Sequence, residues 1–233
     1  YHDFHILCTH YMTQTAAAKS IFKRNAMELI DLSYPIDSSI RVHPYDAPAF
    51  VIQDKFLHQD GFNHHRLEIG MHTGTHIDSP MHITGSRKYI NEYDLDMFCG
   101  RAKVLDVRGE DVISPKASYE TLIGGGDIVL FYTGHDEQYS TSTYFTEHPL
   151  LDITMAEFLA AKNVRLAGFD LPSPDRPPYP IHKKLLENGI LIIENLRNLK
   201  KVLHKEIRLY AFPLNIRADA SIVRVVAETA SET

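Results

Sequence analysis

Apolar and polar positions alternate along MELIDLSY, residues 27–34, the period of a half-buried strand. AFVIQDKF (49–56) and FNHHRLEIG (62–70) flank Asp60-Gly61 and read as the two strands of a hairpin. AKVLDVR (102–108), DIVLFYT (127–133) and RLAGFD (165–170) are short apolar runs rich in β-branched residues and bounded by Gly, Asp or Pro. They read as strands buried on both faces. Gly124-Gly125-Gly126 forms the turn before the second of them; no Gly-Lys-Ser/Thr follows, so it is not a phosphate loop. Thr154-Met-Ala-Glu157 has the spacing of a capping box and opens a helix along ITMAEFLAAKN, 153–163. IHKKLLENG (181–189) is a short helix stopped by Gly189, and ILIIENL (190–196) returns as a strand. IRLYAFPL (207–214) and IVRVVAET (222–229) close the chain as two more strands.

Strands and helices alternate through the middle, with strand pairs at both ends. This order predicts a single α/β domain with a mixed, partly barrel-like β-sheet flanked by helices. The domain is expected over 27–233. Residues 1–26 read as an N-terminal extension or leader, with Met27 as a candidate start. DLPSPDRPPYP (170–180) is too short for a linker and reads as an ordered loop beside something functional.

Composition narrows the function. A 233-residue chain buries enough surface to fold without disulfides. Its 44% hydrophobic and 23% charged residues are those of a globular protein. The net charge of −6 argues against a nucleic-acid partner, and no apolar run is long enough to span a membrane. Cys8 and Cys99 form no CxxC pair, which fits a reducing, cytoplasmic setting. Histidine is abundant, at 14 residues. His64 and His65 are adjacent on a strand, so at most one of them faces a pocket.

The histidines concentrate in MHTGTHIDSPMH, residues 71–82, which places His72, His76, Asp78 and His82 close together. Gly74 and Pro80 disfavour a helix here, so the segment reads as a compact turn after the strand RLEIG. Gly74 lets the backbone bend, and Thr75 bonds the turn or a ligand. Two neutral imidazoles and a carboxylate suit a divalent metal with an open coordination position, the arrangement of a catalytic site.

His72-x-Gly74-Thr75-His76-x-Asp78-x-Pro80-x-His82 resembles the signature of the cyclase-family metal-dependent hydrolases, which include bacterial kynurenine formamidases and isatin hydrolases. The resemblance runs from about Met27 to Ala227. It takes in DLSYPI, the loop from Asp170 to Asp175, and IHKKLLENGILIIENL. It implies a swivelling β/β/α-like fold. It also implies that His72, His76 and Asp78 hold one metal, and that Asp78, His182 and Glu194 hold a second, with Asp78 bridging. His82 takes the place of the family's catalytic histidine. Tyr45 and His135 depart from residues common in the family, Gly and Trp respectively, which bears on the substrate.

The resulting expectation is a metal-dependent hydrolase of an amide C–N bond. Zinc is expected first and manganese second, with one or two ions per subunit. The expected substrate is an aromatic amide, first of all an N-formyl arylamine of the formylkynurenine kind met in tryptophan catabolism. A cyclic amide of the isatin kind and a non-catalytic metal- or ligand-binding module are the alternatives. Tyr45, Phe50, Phe62 and Tyr179 are the candidate aromatic contacts. A homo-oligomer is expected, a dimer or a dimer of dimers.

Overall fold

The structure, a computed structural model, describes residues 27–230; the expectations for 1–26 and Cys8 lie outside the described residues. Nine strands form one mixed sheet: β1 (Met27–Asp31), β4 (His76–Asp78), β5 (Cys99–Asp106), β7 (Ile128–Tyr132), β9 (Leu166–Phe169), β10 (Leu191–Glu194), β11 (Ile207–Tyr210), β12 (Ala220–Ile222) and β13 (Val226–Ala230). Their order is β1-β13-β11-β5-β7-β9-β10-β4-β12. The central run β5-β7-β9-β10 is parallel, and the flanking pairs are antiparallel. The expected α/β architecture with a mixed sheet is therefore what forms.

The sheet must curl. β12 ends at Ile222 and β13 begins at Val226, yet they lie at nearly opposite ends of the strand order. The connecting chain reaches at most about 14 Å, whereas the same strands in a flat sheet would be about 34 Å apart. Curling brings the ends together into a half-barrel. Leu32 N donates to Val225 O (2.9 Å), and Ser33 bridges Leu196 across the gap. This also corrects the single strand expected over 222–229. The segment divides at Val223–Val225, because its halves serve opposite ends of the sheet.

The central strands are covered on both faces. On β7, Ile128, Leu130 and Tyr132 join the core inside the curl, while Val129 and Phe131 join a second core beneath the helices. That double burial is why DIVLFYT carries so little alternation. The helices Ile153–Ala161 and Pro180–Glu187 supply Met155, Leu159, Ile181 and Leu185 to the second core.

Local details refine the sequence reading. The cap of the first helix is Asp152, whose carboxylate accepts from Thr154 N (2.8 Å) and Thr154 Oγ1 (2.5 Å). Thr154 therefore lies inside the helix, and the expected capping box is not used. Gly189 ends the second helix in the left-handed region (φ 73°), and its N donates to Leu186 O. β2 (Phe50–Lys55) and β3 (His64–Glu68) form the expected hairpin, as a separate two-stranded sheet with a one-turn helix at its tip. β6 (Val112–Ile113) and β8 (Leu150–Leu151) form another small pair.

Candidate active site

The compact turn expected over 71–82 occupies only its first part. Gly74 has φ +65°, and a Cβ there would meet Ile40 Cδ1 at 2.6 Å, so the bend requires glycine. Thr75 anchors the bend by donating to Asn195 O (2.6 Å) and accepting from Tyr34 N (2.9 Å). The chain then enters β4, paired on both sides, so His76, Ile77 and Asp78 are strand residues. Alternation sends Ile77 into the core and turns His76 and Asp78 to the other face.

Register completes the cluster. Glu194 on β10 lies directly opposite His76, so both side chains share that face. His76 Nε2 comes within 3.4 Å of both Glu194 Oε2 and Asp78 Oδ1. His182 arrives from the buried face of the helix Pro180–Glu187, with Nε2 3.1 Å from Glu194 Oε1 and 3.9 Å from Asp78 Oδ2. His72 Nδ1 lies 2.9 Å from Asp78 Oδ1. All five proposed ligands thus converge, although 122 positions separate the first from the last.

The donor set fits a divalent cation. Buried His76 Nε2 and both Asp78 oxygens have no hydrogen-bond partner. Such atoms are costly unless something positive joins them. The imidazoles are also oriented for ligation. His76 Nδ1 donates to Gly74 O (2.8 Å) and His182 Nδ1 to Asp175 Oδ1 (2.5 Å), so each presents a bare Nε2 to the cluster. Two sets of ligand atoms lie within 4.8 Å of one another: His72, Asp78 and His82, and His76, Asp78 and Glu194. Asp78 is common to both, as a bridging carboxylate must be. The grouping differs from the one the resemblance implies, because His82 falls within reach of the first set and His182 approaches from beside the second.

The electrostatics point the same way. Burial alone would depress the His72 and His182 imidazoles. The carboxylates of Asp78 and Asp219 outweigh it at His72, and those of Asp175 and Glu194 at His182, pushing each up to about 10. Burial would raise Asp78, but the surrounding imidazoles hold it well below the usual carboxylate range. Without a metal the carboxylates draw protons onto the histidines; a divalent cation supplies the same positive charge.

Above the cluster lies a cavity of about 510 Å³ whose walls include His43, Tyr45, Phe145, His148, Arg176 and Tyr179. Of the candidate aromatic contacts, Tyr45 and Tyr179 are in these walls. Phe50 and Phe62 are not; they stand exposed on the β2–β3 hairpin, which pairs only with itself. His64 and His65 are exposed on the same hairpin, and neither reaches the cavity. Sequence reasoning gave no role to Asp219, whose Oδ2 lies 3.0 Å from His72 Nε2 and 3.3 Å from His82 Nδ1. Asp175 lies in the Pro-rich loop and at the end of the Asp170–Asp175 segment that the resemblance takes in, but neither gives it a role. A second hollow, about 580 Å³ beside Arg197 and Arg224, contains none of the expected site residues.

The Cyclase family model matches residues 30–176, well over half of the chain. The chain belongs to the Cyclase family. This Cyclase-family chain is 32% identical over 207 residues to the kynurenine formamidase of Bacillus cytotoxicus, covering 86% of this chain and 97% of that one. A solved potential metal-dependent hydrolase with cyclase activity superposes with a TM-score of 0.75 at 28% identity, over 89% of this chain and 100% of the other. An isatin hydrolase bound to the product analogue thioisatinate superposes with a TM-score of 0.81 over 94% and 99% of the two chains; at 20% identity this likeness is one of fold.

Proposed function

We propose that this protein is a metal-dependent amide hydrolase acting on an N-formyl arylamine of the formylkynurenine kind. The observation that carries the reading is the convergence of His72, His76, Asp78, His182 and Glu194 beneath an aromatic-walled cavity. Similarity to a kynurenine formamidase supports the substrate class. These five residues would hold one or two divalent ions, zinc first and manganese second. When bound, such an ion acidifies water and polarises the scissile carbonyl.

The chain's own groups do the rest. Asp175 and the Gly74 carbonyl hold the His182 and His76 rings in register. His82 faces the cavity with Nδ1 turned to Asp219, which leaves Nε2 to carry a proton to the departing nitrogen. Tyr179, whose ring packs edge-on to His182 (5.7 Å), and Phe145 offer apolar walls for the substrate's ring.

The test is hydrolysis of N-formylkynurenine and formanilide by protein as purified, chelated, and reloaded with zinc or manganese. Turnover that disappears with chelator and returns with metal is expected. Stoichiometric metal without turnover would instead favour a non-catalytic binding module, and preference for isatin over the formamides would favour the cyclic-amide alternative.

The same proposal places the enzyme in the cytoplasm and makes it a dimer or a dimer of dimers. No helix among the described residues is long and apolar enough to cross a membrane. The β2–β3 hairpin supports association: no residue from Phe50 to Gly70 is buried, and Phe50, Phe56, Leu57, Phe62 and Leu67 are all exposed. An isolated two-stranded hairpin is marginal in water. Light scattering should give two or four times 26.5 kDa; the monomer mass would reject the oligomer.

A further inference from the structure

His148 stands apart from the metal-ligand set yet reaches the same cavity. It is only 7% exposed and shares the cavity wall with Phe145, Thr146 and Arg176. Its Nδ1 lies 3.0 Å from Pro149 O. A carbonyl can only accept, so Nδ1 carries the proton and Nε2 is left as a bare lone pair. Nε2 makes no hydrogen bond among the described residues and is not sealed from solvent. Burial pulls the imidazole below its ordinary range, which keeps the ring neutral near pH 7. The loop holds it in place, since Arg176 Nη2 donates to Thr146 O (2.7 Å) and to His148 O (3.4 Å).

A neutral acceptor on a largely buried ring that lines a substrate cavity has a definite chemical complement. It favours a ligand that brings an N–H and penalises one that leaves it unpaired. Sites of this kind reject analogues lacking the donor far more strongly than apolar pockets reject a change of shape. We propose that His148 Nε2 accepts a hydrogen bond from the substrate's amide N–H. His148 is then a specificity-determining residue, selecting formamides and lactams with a free N–H over esters and N-alkylated amides of the same outline. The assignment rests on the amide-hydrolase reading and concerns a residue outside its metal and proton-transfer machinery.

The metal-loaded full chain is assayed on formanilide and on phenyl formate, which has the same ring and formyl group but no N–H. His148→Leu removes the acceptor; His148→Gln returns one through its side-chain carbonyl. The anilide-to-ester ratio of kcat/KM is expected to fall at least about ten-fold in the Leu variant. It should recover most of that loss in the Gln variant. An equal loss on both substrates, or an unchanged ratio, overturns the assignment while leaving the hydrolase reading intact. Wild-type protein that turns over neither substrate overturns both. Should neither variant fold, competitive inhibition of the wild type by aniline and by N,N-dimethylaniline decides. Inhibition about ten-fold weaker by the dimethyl form supports the acceptor, and equal inhibition overturns it.

Discussion

Asp78 and Ile77 are chain neighbours that face opposite ways, one into the imidazole cluster and the other into the core. Asp78 lies 2.9 Å from His72 Nδ1 and 3.4 Å from His76 Nε2, so its carboxylate sits where a cation would join the imidazoles. His72→Ala removes one of the rings around it and is expected to abolish bound metal and turnover together. Metal analysis checks this, and unchanged metal content would refute the ligand assignment. His82 differs, being hydrogen-bonded at Nδ1 to Asp219 and 32% exposed at its side chain. Yet it also falls within ligand reach of His72 and Asp78. His82→Ala is expected to keep its metal while kcat drops roughly 10²–10⁴-fold, the range for a general acid/base. Loss of metal in that variant would make His82 a ligand instead.

Elements hold these residues through register and close packing. Gly168 lies on β9, next to β10, and a Cβ there would meet Leu130 Cδ2 at 2.7 Å and Leu196 Cδ1 at 2.9 Å. Both atoms belong to the core inside the curl, which has little room to yield. Gly168→Ala should therefore cost about 1–3 kcal/mol of stability by overpacking, measured by denaturant unfolding at constant m-value. A second element-level test concerns the helix Ile153–Ala161. Asp152→Ala removes the acceptor of Thr154 N and should cost about 1 kcal/mol. Thr154→Ala, which keeps that backbone donor, should cost less; the reverse order would restore the capping box that the sequence suggested.

At the scale of the whole molecule, the range from pH 4 to pH 7 isolates Asp170, a fully buried carboxyl just after β9. Burial pushes it up to about 7, although it accepts from Thr133 N, Thr133 Oγ1 and Gly134 N. The folded value lies above the unfolded one, so folding favours the protonated form. The stability this contributes is present below about pH 4 and is lost as pH rises through about 7. Relative to Asp170→Asn, which cannot titrate, the wild type should lose up to about 4 kcal/mol between pH 4 and pH 7. Thermal melts of both proteins across that range check it; parallel profiles would show that Asp170 stays ionised.

Several features were legible in the chain because they depend on near neighbours. The doubly buried strands declare themselves in DIVLFYT, whose β7 has a core on each side. Gly189 marks a helix end through a backbone conformation that other residues enter at a cost. The spacing of His72, His76 and Asp78 announces metal chemistry before any fold is known. His182 and Glu194 were paired with that cluster only by family resemblance, since nothing local links a helix residue and a strand residue to a turn far upstream. Tertiary structure decides it through the antiparallel register of β4 with β10, which sets Glu194 opposite His76; a one-residue slip would send it to the other face. Asp219 and His148 carried no sequence signal, because their roles come from loops brought alongside the site by the folded chain. Phe50 and Phe62 looked like pocket residues by type and position, but the hairpin carries them away from the cavity. Periodicity and residue type act over a few positions, so sequence determined the elements and the nature of the chemistry. Which side chains meet was left to the curl of the sheet, where a four-residue step from Ile222 to Val226 draws its two ends together.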